Sequence, residues 1–488
     1  MMNIAIIGAG FGGLSAAIYL AKAGHEVHIY EKNDHPGGRA SVLESNGFRW
    51  DMGPSWYLMP DAFKVAFDDW GEKIEDYLDL EVLDPMYRIY FSHSDDNIDV
   101  RPGLDANLPQ FEQREPGVTS KLRDYLAKSE YQYKIAMNDF VPKNYDSFLD
   151  FFTRKVMTEG TKLHVFEKMQ SYVKRFVKHP YLQKILQYPL VFLGTAPKDA
   201  PALYNIMSYV DFGMGVFYPK GGIYAIIESL VSIATKNGVN FHCNNTVESI
   251  AVNEDKKVTG IRVGGAFIEA DCVISNADMR FTETQLLPEH LQTYTQKYRD
   301  KRTMAPSGFI VYLGVKGTME QVKHHTLLFS PDRDKNFGEI FEEKVQPSDP
   351  SLYLCCPSKT DSTVAPEGYE NMFILVPFPP GVHLSEAQKT TYKQKVYTLI
   401  EETIGETFQD RIVEEHLFTV EDFEKRYNAF QGTALGLAHT LRQSAIRRPN
   451  NVSKKVKGLY YTGGYTNPGI GMPMCMISGK LVAERIGK

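Results

Sequence analysis

The chain has 488 residues, 43% of them hydrophobic and 23% charged, with a formal charge of −6 at pH 7. A chain of this length and ordinary composition buries a large core, and two domains interleaved in sequence are expected. The acidic balance argues against nucleic acid as the main partner, and no apolar run approaches the ~18 residues of a membrane-spanning helix. The five cysteines, Cys243, Cys272, Cys355, Cys356 and Cys475, form no CxxC and no zinc spacing, and no metal site is expected. Their scatter fits reduced thiols in a cytoplasmic compartment. The first strand begins at Asn3, so no signal peptide is expected.

Asn3–Gly8 is a short apolar run suited to a strand buried on both faces. It runs into Gly8-Ala-Gly10-Phe-Gly-Gly13. Gly8 permits a tight turn, Gly10 lets backbone approach a pyrophosphate, and Gly13 lets the next helix pack on the sheet. That helix is expected to stop at Gly24. Its N-terminus offers free N–H groups and a positive dipole end to phosphates. A second strand, Glu26–Tyr30, ends at Glu31, 18 residues beyond Gly13. An acid at that distance accepts ribose hydroxyls and disfavours a 2′-phosphate. Gly37-Gly38-Arg39 then adds a turn whose backbone and guanidinium suit FAD phosphates.

Residues 71 to about 116 read as acidic and strand-rich, with an alternating strand at Met86–Ser92. A largely helical region follows to about 212. Its stretch from Arg154 to Lys198 holds nine Lys or Arg against two Glu, mixed with apolar residues. After Pro219-Lys-Gly-Gly222 come a helix at Ile223–Asn237, two short strands, a meander through Lys257–Val263, and a strand ending in Ser275-Asn-Ala-Asp278. This succession is expected to complete the nucleotide-binding sheet, with Asn276 and Asp278 capping a turn near the cofactor. Residues 304–414 read as α/β, with strands at Gly308–Gly314 and Met372–Pro377 and a helix at Ser385–Ile404. His324-His325 invites a metal reading, but no third ligand is evident. The chain closes on Gly463-Gly464 and Gly469-Ile-Gly471-Met472-Pro473, a second glycine-rich strand-to-helix turn. Two such turns at opposite chain ends point to one flavin cofactor gripped by both.

The expected fold class is α/β. A Rossmann-type FAD-binding domain is assembled from residues 1–70, 217–303 and 415–488. Residues 71–216 and 304–414 form an interleaved α+β substrate domain, and 154–198 is a candidate membrane-facing helical region.

These anchors, with Phe48-Arg-Trp-Asp51-Met-Gly53-Pro54 and Tyr218-Pro-Lys-Gly221-Gly222, resemble the phytoene desaturase family of carotenoid desaturases and oxidases, within the amine-oxidase-like flavoproteins. The resemblance spans nearly the whole chain. It implies that Gly8, Gly10, Gly13, Glu31, Lys32, Gly38, Arg39, Val247, Gly464, Gly471 and Met472 bind FAD. Glu31 would hold the ribose, Arg39 would lie near the phosphates, Val247 would pack by the adenine, and the C-terminal turn would sit beside the flavin. It also points to Asp150, among aromatics in Ser147–Arg154, as a proton carrier, against the alternative of a helix-face acid paired with Arg154.

The implied reaction introduces conjugated double bonds into a colourless C40 or C30 polyene by hydride transfer to flavin. The substrate is an apolar polyene, phytoene-like or dehydrosqualene-like, which needs an aromatic and aliphatic tunnel opening toward lipid. The basic Arg154–Lys198 stretch suits such an opening, with cations at headgroups and apolar neighbours in the acyl boundary. A cytoplasmic, peripherally membrane-associated enzyme passing electrons to quinone or oxygen is expected. The alternatives are a carotenoid oxidase, suggested by Gly463-Gly464 and Met472-Pro-Met474, a flavin amine oxidase, or a non-catalytic lipid-binding escort of related fold.

Overall fold

The apolar run at the N-terminus becomes the central strand of a five-stranded parallel sheet. The computed structural model describes residues 1–146, 167–444 and 447–487. The strand order is Leu459–Tyr461, Cys272–Ser275, Asn3–Ile7, Glu26–Tyr30, Asn240–His242. Ile4, Ile6, Val27, Ile29 and Ile274 are at most 1% exposed, as expected where helices cover a parallel sheet. The helix Phe11–Lys22 packs against Tyr224–Lys236 and Met472–Ile486. Gly479 makes the second contact close: a Cβ there would lie 2.6 Å from the Gly12 carbonyl and 2.7 Å from the Ala16 nitrogen. Ser15 Oγ, buried in the same seam, donates to the Met476 carbonyl at 2.8 Å.

Two motifs far apart in sequence meet at the N-terminus of the helix Tyr224–Lys236. Asp51, ending the strand Phe48–Asp51, accepts the Ile223 and Tyr224 backbone N–H groups at 2.7 and 2.9 Å. Gly222 has φ +93°, and a Cβ on it would press to 2.8 Å from the Asp51 carboxylate. Only glycine therefore lets the carboxylate reach the open N–H groups of the helix.

The meander departs from expectation. Val247–Val252, Val258–Val263 and Ala266–Glu269 form their own antiparallel three-stranded sheet rather than extending the parallel one. Short antiparallel hairpins pair among themselves, while Asn240–His242 and Cys272–Ser275 on either side join the parallel sheet.

A seven-stranded mixed sheet runs Ile412–Phe418, Ser307–Lys316, Tyr369–Phe378, Leu352–Cys355, His325–Phe329, Tyr87–Phe91, Asn97–Val100. Only the pairing of His325–Phe329 with Tyr87–Phe91 is parallel. Helices Thr119–Ile135, Met169–Val173 and Pro180–Gln187 share one apolar cluster with the strands Tyr87–Phe91 and Asn97–Val100 at one edge of this sheet. In the described part of the basic stretch, Lys174, Arg175 and Lys178 are exposed. Tyr172, Val173 and Val177 are no more than 1% exposed and Phe176 is 9% exposed. The apolar residues expected in an acyl boundary thus pack into the protein core here, while the cations stay at the surface. Among the described residues, no helix is long and apolar enough to cross a membrane.

Candidate cofactor cradle and substrate cavity

The first turn is shaped by close backbone approaches. Gly8 has φ +94°. A Cβ on Gly13 would lie 2.3 Å from the Gly8 carbonyl, and one on Gly10 would lie 2.8 Å from Asn276 Nδ2. Gly38, with φ +58°, faces the Gly10 Cα, so the two glycine turns pass each other with no side chain between them. Glu31 is 4% exposed. Its Oε2 accepts the Ala9 N–H at 2.9 Å, and its Oε1 accepts the Asn33 backbone and side-chain N–H groups, each at 2.9 Å. The carboxylate is held rigidly: Oε1 is filled by its two donors, while Oε2, with one, keeps a lone-pair site for a ribose hydroxyl. Lys32 Nζ instead donates to the Lys425 carbonyl at 2.7 Å and to Asn428 Oδ1 at 3.1 Å, tying the strand end to the region after the seven-stranded sheet. Val247 is 4% exposed and lines the same cavity.

The C-terminal turn reaches this cradle through Asn276. Its side chain lies against the places where Cβ atoms on Gly10, Gly12 and Gly463 would fall. Gly464, Gly471 and Met472 line the cavity beside Gly8, Gly10, Gly38 and Arg39. Sequence reading missed the residues that hold this turn. His439 Nε2 accepts the Ile470 N–H at 3.1 Å while Tyr204 OH meets its Nδ1 at 2.5 Å. Burial drives the His439 pKa well below its ordinary value, which keeps it a neutral acceptor. Arg448 donates from Nη2 to the Gly464 and Leu437 carbonyls at 2.5 and 3.2 Å. Asp278, expected from the sequence to cap a turn near the cofactor, caps the helix Met279–Gln285 through the Arg280 and Phe281 N–H groups and accepts the Tyr465 hydroxyl. The pairs His439 with Ile470 and Arg448 with Gly464 are separated by loops in sequence, and no spacing announces them.

One cavity of about 1220 Å³ runs from this cradle into an aromatic and aliphatic wall. Trp56 stands at the join. It follows Gly53, whose Cβ would lie 2.5 Å from the Arg39 carbonyl. Its ring stacks on His325 with centroids 4.2 Å apart and contacts Tyr87, Tyr188, Phe192 and Tyr353. His325 Nδ1 lies 2.7 Å from Tyr353 OH, which lies 2.8 Å from Ser55 Oγ. The structure also brings Cys355 beside the histidine pair: a ring nitrogen of His324, one of His325 and Cys355 Sγ all lie within 4.8 Å of one another. Burial pushes His324 down to about 3 and Cys355 up to about 12, so the cluster is uncharged at neutral pH. Asp150, the expected proton carrier, lies outside the described residues.

The cradle fits a dinucleotide on its own chemistry. Arg39 Nε and Arg448 Nε and Nη1 are buried with no hydrogen-bond partner among the described residues. Unpaired guanidinium N–H groups at glycine turns are what phosphate and flavin oxygens satisfy. A two-turn nucleotide cradle opening into an apolar cavity defines a flavin-dependent oxidoreductase.

Comparison with known proteins narrows the class. A family model described as flavin containing amine oxidoreductase matches residues 11–487. A carotenoid 3,4-desaturase from Haloarcula japonica is 48% identical over 485 residues, covering 99% of this chain and 98% of its own. A zeta-carotene-forming phytoene desaturase from Myxococcus xanthus is 34% identical, covering 99% of this chain and 93% of its own. An oxidoreductase structure from Methanosarcina mazei aligns with TM-score 0.63 at 18% identity over 99% of this chain and 100% of that one. A putrescine oxidase double mutant aligns with TM-score 0.62 at 13% identity over 99% and 98%. The last two establish the mixed α/β fold. The chain belongs to the phytoene desaturase family, a branch of the flavin-containing amine oxidoreductases, and it is an FAD-dependent enzyme.

Proposed function

We propose that the protein is a carotenoid desaturase that introduces conjugated double bonds into an apolar C40 or C30 polyene. The observation that carries this reading is the continuity of the nucleotide cradle with the aromatic wall around Trp56, in one cavity of about 1220 Å³. A bound FAD supplies a two-electron acceptor that no side chain can replace. On this reading, Gly8, Gly10, Gly13 and Gly38 clear its path, Glu31 holds the ribose, and Arg39 meets the phosphates. Val247 packs near the adenine, and Gly464, Gly471 and Met472 seat the ring. Lys32 acts at one remove, by anchoring the strand end. The parallel-sheet stretches at 1–70, 217–303 and 415–488 would form the cofactor-binding body, with 71–216 and 304–414 as the substrate body.

The wall also weighs against a soluble amine. Its described lining acids are Glu31 and Asp278, both engaged in the cradle, whereas Lys143, Lys184, Arg333 and Arg442 line the rest. A cationic substrate would find no free carboxylate there. The exposed Lys174, Arg175 and Lys178 support peripheral contact with an anionic membrane through charge, on the cytoplasmic side, with quinone or oxygen as final acceptor. The test is anaerobic mixing of the purified, FAD-loaded protein with phytoene or its C30 counterpart, followed by product analysis. Flavin bleaching with formation of a more conjugated product is expected. An FAD-loaded protein that no polyene reduces would point to the escort or amine-oxidase readings.

A further inference from the structure

A polyene that loses a hydride must also lose a proton, and a side chain placed on the cavity wall can take it. Behind the aromatic wall, among the described residues, lies a buried carboxylate, Asp211, whose tyrosine partner Tyr188 lines the cavity. Asp211 is 3% exposed in the segment Tyr209–Met214. Tyr87 OH donates to its Oδ2 at 2.6 Å, and Tyr188 OH donates to its Oδ1 at 3.4 Å. Among the described residues no Lys, Arg or His hydrogen-bonds or ion-pairs with it, so these two hydroxyls are the titratable groups that face it. Tyr188 is the partner that lines the cavity. Its ring contacts Trp56 at 6.2 Å and Tyr87 at 5.2 Å. Trp56 in turn follows the Gly53-Pro54-Ser55 loop, which lies on the Arg39 carbonyl of the cofactor cradle. The ring of Tyr188 therefore lies one aromatic ring from the residues that follow this loop, with a buried carboxylate at its hydroxyl.

We propose that Tyr188 and Asp211 form the proton-accepting pair of the desaturation, Tyr188 Oη taking the substrate proton as its own passes to Asp211 Oδ1. The step balances. A bound FAD would supply the two-electron acceptor for one C–H hydrogen and its bonding pair. The adjacent carbon gives a proton to Tyr188 Oη, and the electron pair of that second C–H bond becomes the new C=C. The two electrons lost by the substrate would be those taken by that acceptor, and Asp211 ends as the neutral acid. Burial without a cation raises the Asp211 pKa to about 7, which suits a base that must both accept and release a proton near neutral pH. Tyr87, on the strand Tyr87–Phe91, is a positioning residue that fixes the carboxylate from the opposite side.

The inference rests on the desaturase reading, and the experiment separates the two. Single-turnover flavin reduction by the polyene is measured anaerobically on the FAD-loaded protein from pH 5 to 9. The wild-type rate should rise through pH 7 and level off. Asp211→Asn and Tyr188→Phe should keep the bound-FAD spectrum and lower the rate about 10²–10⁴-fold, and Asp211→Asn should flatten the pH profile. Independently of turnover, infrared titration of the wild type should show a protonated carboxyl band vanishing near pH 7, absent in Asp211→Asn. The proposal is overturned if either variant reduces flavin within threefold of wild type with the same pH profile. It is equally overturned if Asp150→Asn alone abolishes reduction while Asp211→Asn does not, or if no carboxyl titrates near pH 7. Should Asp211→Asn fail to fold, Tyr188→Phe, which keeps the ring, and the wild-type titration decide. A wild-type flavin that no polyene reduces removes the desaturase reading itself, whereas reduction in the wild type with an unaffected Asp211→Asn removes only this pair.

Discussion

Glu31 shows how one side chain serves fold and cofactor together. Its carboxylate already holds the Ala9 and Asn33 N–H groups, so the same atoms that would receive the ribose also fix the glycine turn. Glu31→Ala should remove charge-assisted bonds of about 1.5–3 kcal/mol, weakening FAD binding roughly 10- to 150-fold in a fluorescence titration. An unchanged dissociation constant would leave Glu31 a purely structural turn residue. Gly10→Val should leave the protein colourless: its Cβ would fall 2.8 Å from Asn276 Nδ2, between the two turns. Retention of a normal FAD spectrum in that variant would move the phosphates elsewhere. Asp211 carries a stability signature as well. Its folded pKa of about 7 lies above its ordinary value of 3.8. The folded state therefore holds a proton that the unfolded chain releases near pH 4, and that advantage disappears as pH rises through 7. Asp211→Asn, which cannot ionise, should be more stable than wild type at pH 8, by up to about 4 kcal/mol, with the difference gone below pH 4. Chemical denaturation at several pH values measures this.

At the scale of elements, the cofactor cradle depends on a helix pair with no room to spare. Gly479→Ala would place a methyl group against the backbone of Gly12 and Ala16, and backbone cannot rotate away as a side chain can. A cost of about 1–3 kcal/mol is expected, read as a lower melting temperature with partial FAD loss, because Gly12 sits at the Gly463 turn. Unaltered melting and FAD content would mean the helices separate without strain. The helix was not marked by Gly479 in the sequence. What was legible was the local chemistry: the turn Gly8–Gly13, the acid at Glu31, and strands whose ends fall within a few residues of Ser307–Lys316 and Tyr369–Phe378. These carry their own signals in glycine spacing and apolar runs. Contacts such as His439 with Ile470, Arg448 with Gly464 and Tyr188 with Asp211 join segments whose meeting is decided by packing alone. For the same reason the meander at 247–269 read as part of the parallel sheet: strand propensity says nothing about which partner a strand chooses.

Across the whole molecule, the charged surface and the buried cavity have separable roles. Replacing Lys174, Arg175 and Lys178 by Gln should weaken binding to anionic liposomes, each cation being worth up to about 1 kcal/mol near the surface and less in salt. FAD content should stay the same, since the apolar side of that segment faces the core. Equal liposome partitioning of the triple variant would take this face out of any membrane contact. The sharing of one parallel sheet by strands from both ends of the chain has a consequence for biosynthesis. The strand Leu459–Tyr461 and the helix Met472–Ile486 complete a site begun at Asn3–Ile7, more than 400 residues earlier. At ordinary translation rates of about 5–20 residues per second, the first helix waits roughly 20–90 s for its partner. A nascent chain therefore leaves the ribosome with an exposed apolar helix face and an unfinished cradle. Chains stalled before Leu459 should be recovered flavin-free and bound to chaperones.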